Sequence, residues 1–283
     1  MAETVPETTE ARITAPEQKA GRIAHWLSRL RSYLFWDPLI WIYTGVLGSL
    51  SLLSSFFDRD GDLQHGFARL WSRMILGTIG AHIKVEGLEK IDTSRSHVYV
   101  VNHLSAFDIP VIYVGLPFQF RILAKKELFR YPFMGWHLRR SGQIPVDRAS
   151  VRTSLRGLQQ GVDALKRNMP IMVFPEGGRS GSGQLQEFMS GAFYLAIKAQ
   201  VDVVPMALIG TYETLPMNTW HIMPHPLCLA VGQPISTAGM KVRDMEALSE
   251  TARNAIAGLY YSRSPLPDLR KTELRSGTSQ KID

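Results

Sequence analysis

From residue 82 onward, short apolar runs alternate with longer amphipathic stretches. The runs 82–85, 98–101, 121–124, 142–146, 171–174, 203–208 and 227–231 read as strands, and 149–168, 187–199 and 242–261 read as helices between or after them. Strands that are apolar throughout have both faces covered. The pattern therefore predicts an α/β domain with a mostly buried, partly parallel sheet flanked by helices. In such a domain the loops at strand ends are where sites form.

Ahead of this domain the pattern changes. Residues 39–57 carry no charge. As a helix they would extend about 28 Å at roughly 1.5 Å per residue, just short of the roughly 30 Å hydrocarbon core of a bilayer. Gly45, Gly48 and the serines at 49, 51, 54 and 55 dilute its lipid affinity, whereas Trp36, Trp41 and Tyr43 resemble an interfacial aromatic belt. Further on, Phe67, Leu70, Trp71 and Met74 share one helical face, with Arg69 and Arg73 off it, the pattern of an interfacial helix. These segments predict an N-terminal membrane-associated helical hairpin that dips into one leaflet or spans and returns. Arg22, Arg29 and Arg31 precede the apolar segment, so the positive-inside rule puts the amino terminus, and with a hairpin the catalytic domain, on the cytoplasmic side. The competing reading makes 39–57 a buried core helix.

Residues 1–20 are polar and partly acidic, without the basic start and early apolar run of a signal peptide. Residues 263–283, with Pro265, Pro267 and no periodicity, match them in character. The expected organisation is a disordered tail over 1–20, a membrane-associated helical region over 21–81, one catalytic domain over 82–262 and a second disordered tail over 263–283.

Charge narrows the partners. Lys and Arg total 32 against 25 acidic residues, a net +7 that favours anionic partners: nucleic acid, phospholipid head groups or phosphorylated metabolites. The basic residues lack an organised aromatic-basic recognition module, so nucleic acid is not expected. The one cysteine, Cys228, excludes an intramolecular disulfide and a cysteine metal cluster within one chain. Its setting in the apolar run 227–231 predicts an inert core thiol.

The candidate chemistry begins directly after the run 98–101, at His103-Leu-Ser-Ala-Phe-Asp108. An imidazole accepts a proton near neutral pH, and a carboxylate on its other ring nitrogen fixes the tautomer and stabilises the imidazolium. Asp108 can fill that place if the chain turns between the two residues. The competing reading is structural, since Ser105-x-x-Asp108 also fits a helix-capping pattern. No Gly-x-Ser-x-Gly elbow occurs, so an acyl-enzyme route is disfavoured, and a His-Asp dyad without a nucleophile suits direct activation of a substrate hydroxyl. Phe174-Pro-Glu-Gly-Gly-Arg-Ser180 follows another strand. Its glycines allow a sharp turn, and the planar fork of Arg179 suits phosphate. Taken singly, this turn, Lys125-Lys126-Glu127, Arg139-Arg140 and Arg148 all read equally well as solvated surface.

Together these segments resemble the glycerolipid acyltransferase family typified by lysophosphatidic acid acyltransferase, over roughly 83–235 and in four blocks in the family's order. Asn102 to Asp108 is similar to the Asn-His-x4-Asp block, Lys125 to Gly135 to the second, Phe174 to Ser180 to the third and Val203-Val-Pro-Met206 to the fourth, with Ile144 to Arg148 resembling a segment between the second and third. The resemblance implies His103 as general base, Asp108 as its partner, Arg179 and Lys126 as phosphate ligands, and Glu176 and Gly177 shaping the acceptor site. It also implies a donor thioester of coenzyme A or acyl carrier protein, a membrane lyso-lipid acceptor and no metal or redox cofactor. Gly178 stands where the family commonly has threonine, removing a hydroxyl that could hold the turn. Three alternatives stay open at this point: a sister acyltransferase with another glycerol-phosphate or lyso-lipid acceptor, a metal-dependent phosphohydrolase with His103, Asp108 and Glu176 as ligands, and a noncatalytic binder of anionic lipid.

Overall fold

The computed structural model describes residues 15–58, 60–147 and 151–270. Its centre is a seven-stranded sheet: β1 (Ile83–Glu86), β2 (Val98–Val101), β3 (Arg121–Lys125), β4 (Ile144–Val146), β5 (Ile171–Val173), β6 (Val203–Ile209) and β7 (Leu227–Val231). The order is β1-β7-β6-β2-β5-β3-β4, and every neighbouring pair is parallel except β6 with β7. Each apolar run of the sequence became a strand, within two residues at either end.

Helices cover both faces, which explains why the central strands are apolar at every position. The helices are α1 (Ala15–Arg31), α2 (Asp37–Ser54), α3 (Asp62–Thr78), α4 (Asp108–Gly115), α5 (Met134–Arg140), α6 (Val151–Lys166), α7 (Gly191–Ala199), α8 (Thr211–Thr214) and α9 (Met245–Tyr261). Val98 and Val100 of β2 point into a core with Leu165, Phe193, Leu195, Ile256 and Tyr260 from α6, α7 and α9. Tyr99 and Val101, one residue out of phase, enter a second core with Ile75 of α3, Ile112 of α4 and Phe120.

The N-terminal helices do form a hairpin. α1 runs through a π-helical turn, Ser32–Trp36, directly into α2. Asp58 then reverses the chain by accepting the backbone N–H groups of Asp60, Gly61 and Leu63. Trp71 donates to Thr44 at 3.0 Å and Thr78 to Tyr43 at 3.3 Å across the α2–α3 seam. No helix among the described residues is long and apolar enough to cross a membrane.

Arg69 of α3 lies off the face of Phe67, Leu70, Trp71 and Met74, and its guanidinium turns inward and donates to the carbonyls of Tyr113, Leu116 and Phe118. Those carbonyls end α4 and the loop after it and need donors. The buried face of α3 is Gln64, His65, Ser72, Ile75 and Leu76. Part of each expected tail is structured: α1 begins at Ala15, and Arg263 forks onto Glu86 at 3.0 and 3.2 Å. The rest of both expected tails, 1–14 and 271–283, and Arg148, lie outside the described residues. Cys228 is half-buried rather than sealed in β7, though burial still raises its pKa.

Gly210, at the end of β6, illustrates how tightly the sheet edge is closed. It has φ +87° and a Cβ built on it would lie 2.0 Å from the carbonyl oxygen of Pro226. Gly210→Ala is expected to destabilise the protein by more than about 2 kcal/mol, combining a left-handed backbone with a backbone clash. Urea denaturation measures it, and an unchanged midpoint would contradict this packing.

Candidate active site

The site grows from the end of β2. After Val101 the side chain of Asn102 continues the ladder to β6, donating to the carbonyl of Leu208 at 3.0 Å and accepting its N–H at 2.7 Å. The buried amide thus acts as one more peptide unit and fixes where the chain leaves the sheet. His103 follows, and Asp108, five residues beyond His103, opens α4. The chain turns between them as the dyad requires: Nδ1 of His103 lies 2.7 Å from Oδ2 of Asp108. The same oxygen accepts the N–H groups of Leu104 at 2.7 Å and Ser105 at 3.0 Å.

The capping pattern is present beside the dyad, since the carboxylate of Asp108 reaches back to the N–H of Ser105 while it faces the imidazole. Ser105 accepts the N–H of Phe107 and donates to the carbonyl of Leu215 at 2.8 Å, so its hydroxyl is buried and turned away from the imidazole. The Asp108 side chain is fully buried, whereas that of His103 is 20% exposed. Phe174 stacks on the imidazole at 4.1 Å with 26° between the planes, fixing the ring. With Nδ1–H directed at a carboxylate, Nε2 carries the free lone pair and can take a proton.

β5 lies beside β2 in parallel, Val100 opposite Val173, so the loops after both strands leave the same edge of the sheet. They are laced together through the backbone of His103. Its N–H donates to Oε1 of Glu176 at 3.0 Å, and its carbonyl accepts the N–H of Ser180 at 2.8 Å. Oε2 of Glu176 accepts the N–H of Gln186, also at 3.0 Å. Glu176 is thus a buried clamp that sets the position of His103. Both its oxygens face backbone donors. Gly177, at φ +73°, supplies the left-handed turn that lets the chain double back. The helix expected from 187 starts only at Gly191, because Gln186 and Met189 bond back to this loop.

Gly178 is exposed, and a side chain there would meet open space. Its carbonyl accepts from the side-chain amide of Gln186 at 3.1 Å, a bond that holds the turn without a hydroxyl at 178. Arg179 is exposed and makes no hydrogen bond or ion pair among the described residues. Lys126 stands on the same sheet edge, just past β3, where its ammonium pairs with Asp147 after β4 at 2.9 Å. His103, Asp108 and Glu176 therefore form one bonded cluster with Gly177 in its turn, and no hydrogen bond or ion pair among the described residues joins Arg179 or Lys126 to it. Arg139 is used on the carbonyl of Phe129, and Arg140 on the ring of Phe56. Sequence reasoning gave no role to Asn102, Phe174 or Gln186, the first two quoted only within their blocks; an asparagine directly after an apolar run was the one signal available.

These bonds also leave no metal-ligand set. Glu176 and Asp108 direct their bonded oxygens at backbone N–H groups and the imidazole, and no group of three ligating residues occurs among the described residues.

Burial pushes the Glu176 carboxyl up to about 7 from its ordinary 4.5, against the pull of the His103 and Gln186 N–H groups. The folded chain therefore binds the extra proton between those two values. The stability this group contributes is full below about 4.5 and is lost as pH rises toward 7. Glu176→Gln removes that slope. Denaturation midpoints at about pH 5 and about pH 8 are expected to fall further for the wild type than for the variant, and equal falls would contradict the shift.

Residues 82–209 match the family model described as acyltransferase. The chain is 33% identical over 192 residues to a chloroplastic 1-acyl-sn-glycerol-3-phosphate acyltransferase of Arabidopsis thaliana, covering 67% of this chain and 53% of that protein. It is 31% identical over 258 residues to the chloroplastic enzyme of the same name from Brassica napus, covering 88% and 71%. The chain thus spans about half the length of the first relative and most of the second. The crystal structure of the 1-acyl-sn-glycerophosphate acyltransferase PlsC from Thermotoga maritima is similar at a TM-score of 0.64 and 25% identity, covering 84% of this chain and 97% of that one.

Proposed function

This chain belongs to the acyltransferase family, and from that premise we propose that it moves a fatty acyl group from a thioester of coenzyme A or acyl carrier protein to the free hydroxyl of 1-acyl-glycerol 3-phosphate, giving phosphatidic acid. The observation that carries the reading is the 2.7 Å bond between His103 and Asp108, with the imidazole partly exposed and the Ser105 hydroxyl committed to the carbonyl of Leu215.

Nε2 of His103 takes the proton of the acceptor hydroxyl as its oxygen attacks the thioester carbonyl. The tetrahedral intermediate collapses with cleavage of the carbon–sulfur bond, and the imidazolium returns the proton to the departing thiolate. Atoms and electrons balance without metal or redox cofactor. Base assistance supplies about 10²- to 10⁴-fold, and positioning the remainder. Arg179, exposed and unpaired among the described residues, is the phosphate ligand; Lys126, already paired with Asp147, adds field more than contact.

The hairpin supplies the lipid. Along α1 and α2, Trp26, Phe35, Trp41, Ile42, Phe56 and Phe57 are exposed, Phe57 at 89%. Such a face is far larger than the scattered apolar residues of a soluble surface. It continues onto α5, where Phe133, Met134 and Trp136 are exposed and Ser51 of α2 bonds His137 at 3.1 Å. The face lies in one leaflet, with the catalytic domain on the cytoplasmic side, so acceptor and product keep their chains in lipid.

The test is product analysis by mass spectrometry with acyl-coenzyme A or acyl carrier protein thioester and three acceptors: 1-acyl-glycerol 3-phosphate, glycerol 3-phosphate and a lysophosphatidylcholine. Phosphatidic acid from the first is expected. Product from another acceptor alone would assign a sister reaction, and none from any would overturn acyl transfer.

A further inference from the structure

Where α1 passes into α2, the π-helical turn and the loop at 220–222 border an open cleft of about 450 Å³ lined by Tyr33, Asp37, Pro38, Trp41 and Trp220. The loop is held there deliberately well: Ser32 donates to the carbonyl of Trp220 at 3.1 Å and accepts the N–H of Ile222 at 3.0 Å, and Ser28 bonds His221 at 3.0 Å. Trp41 and Trp220 face each other at 6.2 Å with a 38° tilt, yet each is more than 60% exposed, at 61% and 62%. Two indoles kept open beside one another leave apolar surface uncovered that an occupant would bury.

Asp37 is the second unusual feature. It makes no ion pair among the described residues, and burial raises its pKa, with Ser32 partly countering. It sits at the formal start of α2, where a carboxylate ordinarily serves free N–H groups. The helix here is continuous, however, and the Asp37 N–H already donates to the carbonyl of Ser32. The carboxylate has no helix end to cap.

On the far side of Tyr33 the charge reverses. Arg29 reaches the Tyr33 hydroxyl at 3.5 Å, and the ring of His221 lies 6.4 Å from that of Tyr33 and 5.2 Å from that of His25. An aromatic wall with a carboxylate suits an ammonium group, and a guanidinium suits a phosphate. Tyr33 joins the two, lining the cleft and meeting Arg29, and Leu34, Phe35 and Ile42 of the same helices are exposed.

We propose that this cleft binds the head group of a zwitterionic phospholipid, with the ammonium between Trp41, Trp220 and Asp37 and the phosphate against Arg29. This site is separate from the His103 cluster and takes no part in acyl transfer; it selects the lipid surface and fixes how the hairpin sits in it. The inference rests on the reading that the α1–α2 face lies in a leaflet.

Flotation of the purified full-length protein tests it, with vesicles of one fixed phosphatidylglycerol content and the remainder either phosphatidylcholine or digalactosyldiacylglycerol. Anionic charge and acyl chains are then constant, and only the ammonium-bearing head group varies. The wild type is expected to bind the phosphatidylcholine vesicles about 10-fold more tightly. Asp37→Asn and Trp220→Ala are expected to bring that ratio to about one, each melting as the wild type does. A wild-type ratio of one, or variants that keep the ratio or lose affinity equally for both vesicles, would overturn the head-group site and leave the membrane face standing. Failure to float with either vesicle would overturn both.

Discussion

His103→Ala is expected to lower kcat by about 10³-fold or more with little change in either KM, because the imidazole contributes chiefly while the proton is in flight. The fold should survive. The interactions that lace this loop to its neighbour use the backbone of residue 103, through Glu176 and Ser180, and Asp108 retains the N–H groups of Leu104 and Ser105. Asp108→Asn makes the sharper version of the test. One oxygen, Oδ2, accepts those two N–H groups and also faces Nδ1, so an amide oxygen in its place keeps all three bonds but loses the charge that stabilises the imidazolium. A loss of about 10²-fold or more is expected. Steady-state thiol release against both substrates, with thermal melts alongside, measures it. Near-normal turnover in either variant would remove His103 as the base.

Arg179→Ala is the second large effect, on a different parameter. Charge-assisted hydrogen bonds to phosphate are worth about 1.5–3 kcal/mol, so the acceptor KM is expected to rise by about 10- to 100-fold. The donor KM should not move. Because the side chain is exposed and bonds to nothing else among the described residues, stability should be unchanged as well. Arg179→Lys should recover only part of the loss, since an ammonium cannot reproduce the planar fork. An unchanged acceptor KM with an unchanged rate would exclude Arg179 from phosphate binding.

The sheet was legible because burial on both faces turns each central strand into an unbroken apolar run, as 98–101 and 203–209 display. The dyad was legible because its two members are only five residues apart and meet by a local turn. What was hidden depended on which strands become neighbours. Glu176 reaches His103 across 73 residues of sequence, and only the adjacency of β2 and β5 makes it a clamp. Lys126 finds Asp147 only through the β3–β4 pairing, a partner 21 residues away in sequence. The inward bonds of Arg69 were hidden for a related reason. Helical periodicity separates two faces of α3 but cannot say which meets lipid and which meets protein, and the carbonyls it serves belong to α4 and the loop after it.

The most direct test of base-assisted transfer to a lyso-lipid hydroxyl is a time course of thiol release by the wild type with acyl-coenzyme A, with and without 1-acyl-glycerol 3-phosphate. The account predicts release only when both substrates are present, in step with phosphatidic acid formed. A stoichiometric burst without acceptor would mean an acyl-enzyme and contradict the nucleophile-free site.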